Sequence, residues 1–123
     1  MEWGSVWREI QSGLLALPRC PEHPEYPVIH TLGKYKVPND ILDVNDVEIT
    51  VRSHRKNRSD VIREATFRNW WSHLQTNSEA SLQPGAPDNP PGPRSYIVGA
   101  ILVTVLPKRI HAVTTNRIRL TDS

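Results

Sequence analysis

The chain is poor in cysteine, methionine and phenylalanine, with one of each in 123 residues. A lone Cys20 cannot close an internal disulfide, so a reducing, cytoplasmic setting is expected. No stretch reaches the ~18 consecutive apolar residues of a membrane helix. The longest apolar run, Tyr96 to Leu106, is broken by Gly99 and Thr104. The opening residues, MEWGSVWREI, hold Glu2 and no basic region ahead of an apolar core, so no secretory leader and no membrane contact are expected. Enzyme signatures are missing too. There is no G-x-x-x-x-G-K-[ST], no G-x-G-x-x-G and no G-x-S-x-G. None of His23, His30, His54, His73 and His111 stands in H-E-x-x-H. No cofactor is expected.

Acids are scarce in one half. Residues 1–51 carry four cations and eight acids, a net −4, whereas 52–123 carry eleven cations and five acids, a net +6. No acid occurs between Arg94 and Thr121. The overall charge of +2 hides this asymmetry, which suits an anionic partner on one face.

What is present is enough for one domain spanning 1–123 with its own core. Trp3, Val6, Trp7, Ile10 and Leu14 fall at helical spacing, which predicts a helix within 1–17, capped by Ser5, weakened at Gly13 and stopped by Pro18. PRCPEHPEYP predicts an extended connector. PVIHTL predicts a strand over 27–32, followed by a turn at Gly33-Lys34. Ile41–Val44 and Val47–Val51 alternate as two strands joined at Asn45-Asp46. Ser59-Asp60 then opens a second helix, with Asp60 and Glu64 in its first turns. Phe67, Trp70, Trp71 and Leu74 form its buried stripe, and it ends near Asn77. Residues 78–94 are a Pro/Gly-rich loop. The β-branched content of 95–106 argues strand, though periodicity does not decide. Residues 111–121 read as a single strand with Ile118 and Leu120 on one side and Arg117 and Arg119 on the other. The expected class is α+β, a small antiparallel sheet packed with about three helices.

The chemistry centres on VRSHRKNRS, residues 51–59. Arg52, His54, Arg55, Lys56 and Arg58 leave a strand end and lead to the helix N-terminus expected at Ser59. Cationic side chains and free first-turn N–H groups are two means by which proteins hold phosphate. Arg63 and Arg68 extend the basic surface along the expected helix, and Arg117 and Arg119 offer a second strip. Arginine outnumbers lysine eleven to four, which favours bidentate contact with phosphate and guanine. Asn57 and Asn69 are candidate readers of adenine. Trp71 lies at the edge of its stripe and could stack on a base, but core packing is the simpler assignment. Trp3 and Trp7 form a packing stripe or, alternatively, an interface. Cys20-x-x-His23, with His30 nearby, is only half a zinc site, and no metal is expected. Asp40, Asp43, Asp46 and Glu48 read as the wet face of a hairpin.

"PVIHTLGKYKVPNDILDVNDVEITVRS", a basic link, "IREATFRNWWSHL" and "RSYIVGAILVTVLP" together resemble a module of bacterial restriction and phage-defence proteins. There, a strand of the type I-x-T-L-G leads to a hairpin ending in V-x-S or V-x-T. A helix with W-x-x-L follows, then a variable loop, then R-S-x-x-V-x-A-x-L closing in Leu-Pro. The likeness covers about residues 27–107 and rests on short, apolar motifs. It implies contact with double-stranded DNA, a helix at 95–106 and a working surface near Arg52–Arg58. Such modules accompany nuclease or helicase domains. None is attached here, so the implied partner is a nuclease or helicase subunit and catalysis is expected elsewhere. The leading expectation is a non-catalytic DNA-binding module, sequence- or modification-selective. The alternatives are a protein-interaction subunit that docks on an acidic partner through Trp3 and Trp7, and a small metal-dependent nuclease using the 40–48 acids and a histidine.

Overall fold

The N-terminal stripe forms helix α1, Trp3–Leu15, with Val6, Trp7, Ile10 and Leu14 buried. Its N-cap is Glu2 and not Ser5; the Ser5 N–H already donates to the Glu2 carbonyl. The computed structural model describes residues 2–121, with only the backbone of His23. Five antiparallel strands follow α1: β1 Arg19–Cys20, β2 His23–His30, β3 Pro38–Val44, β4 Glu48–Ser53 and β5 Arg58–Arg63, paired in chain order. The proline-rich connector thus carries β1 and the start of β2, at the sheet edge where a missing N–H is tolerated.

Residues 58–63 overturn one expectation. Ser59-Asp60 is not a helix start: this segment pairs with β4 from Ser53↔Arg58 to Glu48↔Arg63. Six ladder pairs and the burial of Ile62 outweigh the local capping preference of Ser and Asp. Helix α2 begins only at Glu64 and runs to Asn77, with Phe67, Trp70, Trp71 and Leu74 buried.

After α2 come β6 Glu79–Ser81, α3 Ser95–Val105, β7 Ile110–Thr114 and β8 Arg117–Leu120. The last three strands make a small antiparallel sheet in the order β6-β8-β7. The single strand expected over 111–121 is therefore a hairpin, turned at 115–116. Ser95–Val105 is helical, against its strand propensity. A helix satisfies its own backbone, so it can be buried where no ladder partner is available. Ile97, Val98, Ala100, Ile101 and Leu102 of α3 are all buried.

One hydrophobic cluster joins both sheets and the three helices, from Val6 and Ile10 through Ile49, Ile62 and Phe67 to Ile101 and Ile118. The fold is α+β. Trp7 stacks with Trp3 at 6.1 Å and meets Phe67 at 5.6 Å. Its indole N–H donates to the Asp46 carbonyl, and Gln11 donates to the Asn45 carbonyl. Helix α1 thereby fixes one end of the main sheet, the end opposite the β4–β5 turn. No helix among the described residues is long and apolar enough to cross a membrane.

Candidate nucleic-acid interface

In an antiparallel meander, alternate connections emerge at the same end. Here the β2–β3 connection, 31–37, and the β4–β5 turn, 54–57, lie side by side, joined by the His54 N–H donating to the Pro38 carbonyl at 3.0 Å. The turn is closed by the Asn57 N–H on the Ser53 carbonyl at 2.8 Å, with Asn57 left-handed at φ 48°. Asparagine tolerates that backbone region better than most residues. Arg55, Lys56, Asn57 and Arg58 are exposed.

Tyr35 connects the two loops. It is 73% exposed, with the Arg55 guanidinium 5.5 Å and the Lys34 ammonium 5.9 Å from its ring centre. Lys36 follows, also exposed. Among the described residues, Lys34, Lys36, Arg55 and Lys56 make no ion pair. Arg58 reaches only to 3.9 Å from Asp60.

Beneath the turn lies Asp40, 1% exposed. It accepts from Arg52 at 2.9 Å, and its other oxygen is 2.7 Å from His54 Nε2. Burial pushes the Asp40 carboxyl up, but the hydrogen bonds and charges of His54 and Arg52 outweigh it and hold the group below its ordinary value. Arg52 also lies over Tyr26, at 5.6 Å. Arg52 and His54 thus brace the turn from below, while Arg55, Lys56 and Arg58 project beyond it.

The other basic residues singled out from the sequence are dispersed. Arg63 is exposed at the far end of β5, about 17 Å along the strand from Arg58. Arg68 is held by Glu64, which also accepts the Trp3 indole N–H at 2.6 Å. Arg117 is shared by Glu79 at 3.0 Å and by Asp88. Arg119 is exposed on β8, opposite Glu79 and His111. Asn69 is exposed on α2, and Trp71 is buried in the core. The helix N-terminus expected at Ser59 does not exist, because a β-ladder occupies those residues. Lys34, Tyr35 and Lys36 escaped the sequence reading. Their signal was an aromatic between two cations at a turn, G-K-Y-K.

Among the described residues, no cluster of three His, Cys, Asp or Glu side chains could hold a metal ion. The His23 side chain of the Cys20-x-x-His23 pair lies outside the described residues. Comparison with protein families, characterised proteins and solved structures finds no match. The chemistry of the site therefore carries the functional argument.

Proposed function

We propose that this chain is a non-catalytic DNA-binding module that meets double-stranded DNA with the β4–β5 end of its main sheet. The observation that carries this reading is the group Lys34, Lys36, Arg55 and Lys56, exposed on the two adjoining loops and free of ion pairs among the described residues. Cations already matched to acids gain little from a phosphate; unmatched ones release condensed counterions when they bind it. A two-stranded β-ribbon also fits the major groove, which is about 12 Å wide. The β4–β5 hairpin is such a ribbon with arginines at its tip. Phosphate contacts from Lys34, Lys36, Lys56 and Arg58 would fix register, and Arg55 or Asn57 would approach base edges. The resemblance of residues 27–107 extends the reading to a cytoplasmic restriction or phage-defence system, with a nuclease or helicase subunit supplying catalysis.

The test is a titration of labelled duplex DNA at several salt concentrations, with the wild type and an Arg55→Ala/Arg58→Ala variant. The wild-type slope of log affinity against log salt should be steep. The variant should lose about 0.9 of that slope per phosphate contact removed. Its thermal melt should stay unchanged, because both side chains are exposed. Equal affinity and slope in the two proteins would sink this assignment. Absence of duplex binding even at low salt would point to an acidic protein at the same surface.

A further inference from the structure

A cleft of about 430 Å³ lies behind the cationic turn, between the main sheet and the start of α3. Its size is within the range of small-molecule sites. Its walls include Asn39, Ser53, Arg55, Lys56, Arg94 and Tyr96. Three features of those walls are chemically specific.

The first is the helix end. Arg94 caps α3 in the left-handed region, with φ 58°, without a side-chain cap and with no acid in the first turn. The Ile97 and Val98 N–H groups both turn back to the Arg94 carbonyl. The N–H groups of Ser95 and Tyr96 have no acceptor among the described residues. Free N–H groups and the helix dipole together favour an anion there. Arg55 and Lys56, on the facing wall, add positive charge.

The second is a pair of unmatched buried polar atoms. Asn39 is 1% exposed, and its amide N–H donates to the Val37 carbonyl at 3.1 Å. Its Oδ1 has no hydrogen-bond partner among the described residues. Arg94 pairs with Asp60 at 3.1 Å through one terminal nitrogen, yet its buried Nε–H is also without a partner among the described residues. One wall therefore holds an unused acceptor and another an unused donor. The third feature is Tyr96, 43% exposed at the rim, a face on which a planar group can stack.

A phosphate, a flat ring and a ring edge bearing both a donor and an acceptor together describe a nucleotide. We propose that the cleft receives a single nucleotide: its phosphate at the start of α3 with Lys56, its base on Tyr96, and the polar edge of the base toward Asn39 and Arg94. This rests on the DNA-binding reading above and deepens it, since the nucleotide would be one turned out of the duplex. An extrahelical base gives such a module a means of reading base identity or modification that phosphate contacts lack.

The experiment titrates the isotope-labelled whole protein with each deoxynucleoside 5′-monophosphate, followed by NMR, with inorganic phosphate as the control. Saturable shifts are expected at the Asn39 side-chain amide and at the Ser95 and Tyr96 backbone, for at least one base. Tyr96→Ala should weaken that affinity about tenfold, and Tyr96→Phe should retain it. Phosphate alone should move Ser95 but not the Asn39 amide. If no nucleotide shifts these residues at millimolar concentration, or if phosphate reproduces the whole pattern, the proposal fails. Duplex binding without nucleotide shifts overturns the cleft alone. Nucleotide shifts without duplex binding overturn the duplex reading and leave the cleft standing.

Discussion

Asp40 is the residue on which the turn depends. Three elements meet at it: β3 supplies the carboxylate, β4 supplies Arg52, and the turn supplies His54. Its carboxyl, although raised by burial, is held below the ordinary value of 3.8 by its partners, so ionisation favours the folded state. That contribution is complete above the unfolded value and is lost as pH falls through it toward the folded one. Asp40→Asn should destabilise the protein at pH 7 by about 1–3 kcal/mol, because two half-exposed donors lose a charged acceptor. The difference from wild type should shrink at about pH 3, below the unfolded value, where the unfolded carboxyl takes up its proton and the linkage contribution is being lost. Glu64 and Asp88 are lowered too, so the wild type itself weakens in acid; the comparison with Asp40→Asn isolates one group. Urea melts of both proteins at the two pH values measure it. A gap that stays constant would show that Asp40 has no linkage to folding.

At the level of elements, legibility followed the strength of the local signal. The α1 stripe, the β3–β4 hairpin and the apolar face of α2 repeat over several turns or pairs, and the spacing alone revealed them. β5 was hidden because R-S-D-V-I-R imitates a cap, and only pairing with β4 makes it a strand. α3 was ambiguous because its residues prefer strands, and only its close packing requires a helix. Two glycines record that packing. A Cβ on Gly99 would lie 2.2 Å from Leu82 Cδ2, and one on Gly13 would lie 2.7 Å from Val105 Cβ. Gly13 therefore lets α1 and α3 approach, although it costs helix propensity. Gly99→Ala should destabilise by about 1–3 kcal/mol despite alanine's better propensity, because overpacking wins in a filled core. Leu82→Ala in the same chain should cost less than it does alone, a coupling that a double-mutant cycle reads directly. Additive costs would mean that the two side chains do not compete for space. In the β4–β5 turn, Asn57→Gly should be neutral in a thermal melt, while Asn57→Ala should lose about 1 kcal/mol at the left-handed position.

For the whole molecule, attraction to DNA depends on which cations are already matched. The sequence could count basic residues but not assign their partners. It joined Arg63 and Arg68 to the turn and read Arg117 and Arg119 as a second strip, by charge alone; folding pairs Arg68 with Glu64 and Arg117 with Glu79, sets Arg63 across from Glu48 at the far end of β5, and places Arg119 across from Glu79 on the second sheet. It left out Lys34 and Lys36, whose loop sheet pairing brings beside the β4–β5 turn. Two variants should separate these populations. Arg117→Ala strips the partner from Glu79 and Asp88, between β6 and the loop that follows it. It should lower the melting temperature and leave duplex affinity and salt slope unchanged. Lys34→Ala/Lys36→Ala should do the reverse, with an unaltered melt, weaker duplex binding and a slope reduced by up to about 1.8 for two lost phosphate contacts. Melts and salt titrations on the same preparations read both quantities. If Arg117→Ala changed the salt slope as much as the lysine pair, the field of the whole chain would govern attraction, and no single end of the sheet would be the interface.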